Sequence, residues 1–332
     1  MQIVLSDKDL KQENLPEGVL VKKISYSSID TYEHNQDVVA ISGSRAMAIK
    51  AANMDFPSLK LFQLTSAGFD GVPNEVYAKK GIAVANAGSV YSVPIAETVV
   101  FGILTMAKKL RNNPNNRHFK LQRHYSTITE LADKNVLIMG AGNIGTAVAD
   151  RLSGFEMQID GYDPYCPEKK QYQNIWRSRE ELKENLSKYD YIVSTLPDSN
   201  ETKKFINSEL FAEMKQTAVI INVGRRTVFD DNDFYSALKN HKIGGTVLDM
   251  FEKFPNPITN KFRRLRNVVV LPGVAAVSNE VNIRLRNHIN VNISAVINGT
   301  EINNVIYGVC RNVFQYSCTC LQCRKIFKRM YR

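Results

Sequence analysis

Cysteine is nearly absent from the body of this chain: Cys166 is the only one before position 310. That scarcity excludes a disulfide-stapled scaffold for the body. Met1 to Leu10 has no basic n-region and reaches charge after a short apolar run, so a secretory signal is not expected. The longest apolar stretch, Thr98 to Ala107, is half a membrane span, which leaves a cytoplasmic protein without a membrane span as the expectation. Recognition helices, zinc fingers and aromatic-basic interleaving are also missing from the body. The formal charge of +10 does not replace them, because Arg311, Arg324, Lys325, Lys328, Arg329 and Arg332 carry six of those charges in the last 25 residues. The remaining +4 is ordinary for a chain of this length, and nucleic acid is not expected as a partner.

What is present reads as alternating strands and helices. A chain of 332 residues, 44% hydrophobic, suffices for about two domains. Gln2 to Leu5, Val38 to Ile41, Leu61 to Leu64 and Ile82 to Ala85 read as parallel strands, with helices such as Val72 to Lys80 between them. Pro94 is then expected to open a long helix through Leu110, with Glu97 in its first turn and Lys108 and Lys109 in its last. A second series runs from Asn135 through strands at Tyr191 to Thr195, Ala218 to Val223, Gly245 to Asp249 and Val268 to Leu271. The closing helix, Ser278 to about Asn298, has no further strand to cross to, so it is expected to return to the first domain and make that domain discontinuous.

The second series opens on the motif richest in chemistry. The strand-like Asn135 to Met139 flows into Gly140-Ala141-Gly142-Asn143-Ile144-Gly145, and Asp163 follows 18 residues after the last glycine. Gly140 suits a tight turn, Gly142 the approach of backbone to a pyrophosphate, and Gly145 close packing of helix on strand, so the helix start faces phosphates. Asp163, ending a strand-like Met157 to Asp163, is placed to accept hydrogen bonds from the adenosine ribose hydroxyls. Its carboxylate would repel a 2′-phosphate, which favours NAD over NADP.

Six ordered pieces extend this reading: Gln63-Leu64-Thr65-Ser66-Ala67-Gly68-Phe69-Asp70, Asn86-Ala87-Gly88 with Pro94-Ile95-Ala96-Glu97, the glycine turn, Thr195-Leu196-Pro197, Asn222-Val223-Gly224-Arg225, and Leu248-Asp249-Met250-Phe251-Glu252. In this order they resemble the D-isomer-specific 2-hydroxyacid dehydrogenase family over roughly residues 1 to 307. The resemblance implies an α/β fold of two Rossmann-like, doubly wound parallel-sheet domains. A nucleotide-binding domain at 94–277 would be inserted into a discontinuous flavodoxin-like substrate domain at 1–93 plus 278–307. A basic, cysteine-rich tail at 308–332 is expected to be disordered.

The resemblance also implies hydride transfer between NAD(H) and C2 of a small 2-hydroxy or 2-keto acid, such as phosphoglycerate, glyoxylate or hydroxypyruvate, in the interdomain cleft. Arg225 matches the arginine that grips the carboxylate and polarises the C2 oxygen. The amides of Ser66, Ala67 and Gly68 match the loop holding the substrate carboxylate. Cofactor contacts fall on Gly140, Gly142, Asn143, Ile144, Gly145, Asp163, Thr195, Leu196, Pro197, Val223, Arg225 and Asp249, with Asp249 matching the residue that holds the nicotinamide carboxamide. Family members are usually homodimers, and Val99, Val100, Ile103, Leu104 and Ala107 suit either that interface or the protein's own core.

The departure lies at the acid/base pair. The family's histidine follows the proline that ends the last strand, where this chain has Gly273, and its supporting glutamate is replaced by Phe254. Lys253 is near enough in sequence to move a proton if burial lowers its pKa, or else is simply solvated. Arg226, where the family usually has glycine, either adds a cation suited to a phosphorylated or dicarboxylic acid or faces solvent. None of His34, His118, His124, His241 and His288 matches a catalytic position. In the tail, Cys310, Cys318, Cys320 and Cys323 lack the paired knuckles of common zinc sites, so no metal is assigned. Two readings therefore stand: an NAD-dependent oxidoreductase slowed by loss of the dyad, and an NAD(H)-binding sensor or partner-binding protein that has given up catalysis.

Overall fold

The computed structural model describes residues 2–110, 128–249 and 261–307, and its chain divides into two units: residues up to Tyr91 together with those from Ser278 onward, and Ser92–Val277. Phe254, Lys253, His118, His124 and the tail cysteines lie outside the described residues.

In the first unit, strands β1 (Gln2–Ser6), β2 (Val19–Lys23), β3 (Val38–Gly43), β4 (Leu61–Leu64) and β5 (Ala83–Ala85) are parallel in the order β5-β4-β3-β1-β2. That is the flavodoxin-like order. An antiparallel strand, Val305–Tyr307, pairs with β5 at the edge. Every residue of β3 and β4 is buried, which explains why they are apolar but for Ser42 and Gln63: a parallel sheet is covered on both faces. One cover is helix α1 (Arg45–Ala51) with α2 (Asn74–Lys79), contributing Met47, Ala48, Ala51 and Tyr77. The other is the last helix, Asn279–Asn298, whose Leu285, Ile289, Ile293 and Val296 pack with Val4, Val39, Ala40 and Leu61. Their spacing is the apolar stripe of a helix lying on a sheet.

The second unit holds seven parallel strands: β6 (Asn135–Met139), β7 (Gln158–Tyr162), β8 (Ile175–Trp176), β9 (Tyr191–Ser194), β10 (Val219–Asn222), β11 (Gly245–Leu248) and β12 (Val268–Val270). Their order, β12-β11-β10-β9-β6-β7-β8, is the doubly wound dinucleotide-binding order with one strand added. Strand order reverses between β6 and β9, and there the carboxyl ends of the strands offer a ligand crevice.

The long helix of the middle region, α3, departs from expectation. It spans Gly88–Ala107, so Pro94 lies inside it rather than at its start, Glu97 is mid-helix, and Lys108 and Lys109 fall beyond its end. The helix begins where Asn86 supplies a partner, its Oδ1 accepting the Gly88 N–H at 3.0 Å. Pro94 forgoes one backbone bond, a loss tolerated because the helix is held by packing. By length and composition this helix is able to cross a membrane, yet more than half of it is buried within the fold. Val99, Ile103 and Ala107 are core residues, and a Cβ on Gly102 would meet Val247 at 3.2 Å. Glu97 instead faces Arg151 at 3.6 Å.

Candidate cofactor and acid-binding site

The glycine turn lies at the crevice of the second sheet, and the structure separates the roles of its three glycines. Gly140 takes φ +97°, open to glycine and strained for other residues, and its carbonyl accepts the Thr195 hydroxyl at 2.9 Å. A Cβ on Gly145 would lie 1.9 Å from the Gly140 carbonyl oxygen, so this position is glycine because helix α4 (Asn143–Leu152) presses on the turn. A Cβ on Gly142 would meet nothing within 4 Å. No protein atom demands glycine there, and the open face suits close approach of a ligand's phosphates to backbone. The residues present therefore fit a dinucleotide. Gly142 and Asn143 are exposed, Ile144 is half-buried, and all sit at the start of α4, where helix amides lack intrahelical acceptors.

Asp163 follows β7. One oxygen accepts the Ala141 N–H at 3.0 Å, and the other accepts those of Tyr165 and Cys166 at 2.9 and 3.0 Å. The carboxylate thus ties its own loop to the glycine turn and keeps about one of its roughly four acceptor sites. Lys169 grips the same turn from the other side, donating to the Ala141 carbonyl at 2.6 Å and the Thr146 hydroxyl at 2.8 Å. Sequence spacing gives no sign of Lys169, because nothing about a lysine six residues past the acid marks where its loop will fold. Cys166 completes the grip with its Sγ 3.3 Å from the Ala141 carbonyl, and burial pushes its thiol pKa up.

Three further segments end at the same carboxyl edge of the sheet. Thr195 follows β9 and bonds back to the Met139 carbonyl through its N–H at 2.9 Å; Leu196 is buried behind it, and the Pro197 carbonyl accepts the Thr202 hydroxyl. After β10 come Val223, Gly224 and Arg225. The amides of Val223 and Gly224 both reach the Ser194 carbonyl, and a Cβ on Gly224 would strike Leu196. Asn222, 2% exposed, staples this loop: its Oδ1 accepts the Gly224 N–H and its Nδ2 donates to the Arg225 carbonyl. Arg225 emerges half-buried, with one guanidinium nitrogen 3.2 Å from the Gly224 carbonyl.

Arg226 takes neither role foreseen for it. Its side chain forms a two-point ion pair with Asp231 at the first turn of the helix Asp231–Lys239, five residues on, with its Nε 2.9 Å from Oδ1. The arginine caps its own loop.

Asp249, after β11, is 3% exposed. Its oxygens accept the amides of Val274 at 2.9 Å and Ala275 at 3.1 Å. Burial pushes its carboxyl above the usual range, and the amides of Ala275, Val274 and Gly273 offset part of that rise. The aspartate therefore shapes the turn that carries Gly273, which takes φ +75°. A histidine at that position would need left-handed backbone, a conformation histidine adopts more readily than most residues but not freely.

In the first unit, Ser66, Ala67 and Gly68 form a half-buried bend beyond the carboxyl end of β4. The Ser66 hydroxyl donates to the Gly68 carbonyl at 2.7 Å, and the Tyr91 hydroxyl donates to the Thr65 carbonyl.

Comparisons with known proteins agree with this architecture. Residues 99–275 match the family model described as D-isomer specific 2-hydroxyacid dehydrogenase, NAD binding domain. A glyoxylate reductase of Thermofilum pendens is 31% identical over 256 residues, 73% of each chain. A D-3-phosphoglycerate dehydrogenase of Methanocaldococcus jannaschii is 30% identical over 75% of this chain, which spans about half of that longer protein, 47%. Among solved structures, a glyoxylate reductase from Paecilomyes thermophila superposes with a TM-score of 0.76 at 20% identity, covering 92% of this chain and 98% of its own, a likeness of fold. The doubly wound sheet with its glycine turn is thus the family's NAD-binding domain, and the chain belongs to the D-isomer specific 2-hydroxyacid dehydrogenases.

Proposed function

We propose that the protein is an NAD-dependent oxidoreductase acting on a small 2-hydroxy or 2-keto acid, with glyoxylate, hydroxypyruvate and phosphohydroxypyruvate as candidate oxidants of NADH. Family membership and the retained Arg225 support this reading. The observation that carries it is the stapling of Arg225 by a buried Asn222 at the carboxyl edge of the nucleotide sheet. Asn222 fixes the main chain that carries Arg225, and the guanidinium, 3.2 Å from the Gly224 carbonyl, offers a planar fork of donors to a carboxylate and to the C2 oxygen, drawing charge onto that oxygen as the carbonyl is reduced. Bound NADH supplies the hydride. The Gly140–Gly145 turn and α4 hold the diphosphate, Asp163 the ribose, and Asp249 the carboxamide, while the amides of Ala67 and Gly68 take the acid's carboxylate. Cytoplasmic location and a homodimer complete the reading, the latter supported by Phe101, a large apolar side chain left exposed on α3.

With Gly273 at the acid/base position, the proton for the C2 oxygen comes through solvent. A missing general acid costs about 10² to 10⁴ in rate, which leaves a slow enzyme rather than an inert one. Gly273 equally favours the second reading, an NAD(H)-binding sensor that signals through the bound state without turnover. NADH binding followed by fluorescence, and then NADH oxidation with a panel of 2-keto acids, separates them: slow turnover on one acid supports the enzyme, and tight binding with no turnover on any supports the sensor. Introducing Gly273→His with Phe254→Glu is expected to raise the rate, less the cost of the positive φ.

A further inference from the structure

The acid-binding bend is oriented by a chain of polar contacts that begins on the last helix. Two of its carbonyls are held: that of Ser66 accepts the Ala87 N–H at 3.0 Å, and that of Ala67 accepts Asn86 Nδ2 at 2.8 Å. A planar trans peptide points its N–H opposite to its C=O, so these two bonds turn the amides of Ala67 and Gly68 away from Asn86. Among the described residues neither amide donates to a protein acceptor. Two adjacent outward amides form the kind of concavity that takes an anion.

Asn86 is itself clamped at four points. Its N–H reaches the Asn304 carbonyl at 3.0 Å, its Oδ1 accepts from Gly88, its Nδ2 holds Ala67, and its carbonyl lies 2.9 Å from His288 Nε2. Behind His288 stands Asn292, fully buried on the same helix. Its Nδ2 donates to Gln63 Oε1 at 2.6 Å and to the Asn303 carbonyl at 2.9 Å, and its Oδ1 accepts the Asn303 N–H. Both amide hydrogens of Asn292 are thereby spent, so its 3.3 Å approach to His288 Nε2 carries none, and Nε2 itself bears the hydrogen given to Asn86.

We propose that His288 and Asn292 are positioning residues for the acid-binding bend: His288 holds the Asn86 carbonyl, and Asn292 pins Asn303 beside the Asn304 whose carbonyl takes the Asn86 N–H, so that Asn86 aims the Ala67 and Gly68 amides at the carboxylate of a 2-keto acid. The inference rests on the acid-binding reading of that bend and goes beyond it by assigning the orientation to the last helix.

The test uses the full chain saturated with NADH and titrated with oxamate, a planar carboxylate analogue of a 2-keto acid. His288→Ala is expected to weaken oxamate about tenfold, the worth of one buried hydrogen bond, while the Kd for NADH stays within about twofold. His288→Gln, which restores an N–H donor, should recover most of that loss. In turnover the same pair should move KM for the keto acid and leave kcat nearly unchanged. Oxamate binding equal in wild type and His288→Ala overturns the relay alone, as does a glutamine variant no better than alanine. A wild type that binds NADH but not oxamate overturns the acid-binding reading, and the relay with it.

Discussion

The glycine turn of the second unit and the bend of the first that we propose binds the acid would meet similar demands, presenting backbone amides to an anion, but they are held in different ways. The turn takes its glycines from contacts within its own six residues, Gly145 against the Gly140 carbonyl, while its polar bonds reach Asp163, 22 positions from Ala141, Lys169, 28 positions from it, and Thr195, 55 positions from Gly140. The bend depends on Asn86, 19 positions from Ala67, which in turn depends on His288, 202 positions away, beside an Asn292–Gln63 bond that joins residues 229 apart. Backbone that must be tight writes glycine at fixed spacing. A remote side chain that aims backbone, as Lys169 and His288 do, leaves no mark beside the backbone it aims.

Five substitutions sharpen that contrast. Arg225, held by its neighbour Asn222, belongs to the locally encoded set. Arg225→Gln should cut NADH oxidation with the preferred keto acid by about 10² to 10³, read from kcat/KM, with a smaller change in NADH binding. Gly145→Val drives a side chain into the Gly140 carbonyl and should cost about 3 kcal/mol in a denaturant titration, together with NADH binding. Asn292→Leu strands Gln63 and Asn303 in the first unit and should cost about 2 kcal/mol by the same measurement, with NADH affinity unchanged in the protein that remains folded. Were Asn292→Leu to abolish NADH binding at full folding, the separation between the two regions would break. Gly142→Val meets open space, so the melting temperature should hold while NADH affinity falls about tenfold in a fluorescence titration.

The smallest effect concerns pH. Burial lowers the pKa of His288 below the ordinary 6.5, so the unfolded chain binds the proton more readily than the folded one. The stability contributed by its neutral form is present above 6.5 and is lost as pH falls through the lowered value. His288→Gln lacks that dependence. The melting-temperature gap between wild type and variant should therefore shrink between about pH 7.5 and about pH 5. A gap that widens on acidification would contradict the buried, neutral histidine.

Much of this was legible in the chain. Leu61–Leu64 and Asn135–Met139 are marked by apolar runs that a two-sided cover explains, and the remaining central strands differ from the reading by a residue or two. The strands that escape it, Val19–Lys23, Ile175–Trp176 and Val305–Tyr307, are all sheet edges. Edge strands pair on one side, stay short and expose polar residues, as Lys22 and Lys23 do, so their pattern is weak. The start of α3 was hidden by Pro94, which normally marks a first turn; Asn86, doubling as helix partner and bend anchor, moves the start six residues earlier. Arg226 shows the same limit at the site: only its two-point contact with Asp231 reveals that its charge is spent. Lys169, His288 and Asn292 had no local signature because their partners come from other segments of the chain.

The central claim is that the Gly140–Gly145 turn, gripped by Asp163 and Lys169, binds the diphosphate of NAD(H). Calorimetric titration of the full chain with NADH and with NAD tests it directly, run beside Gly142→Val. Saturable one-site binding by the wild type, weakened about tenfold in a variant of unchanged melting temperature, is the predicted result. A folded wild type that gives no binding heat with either form of the cofactor would contradict the account.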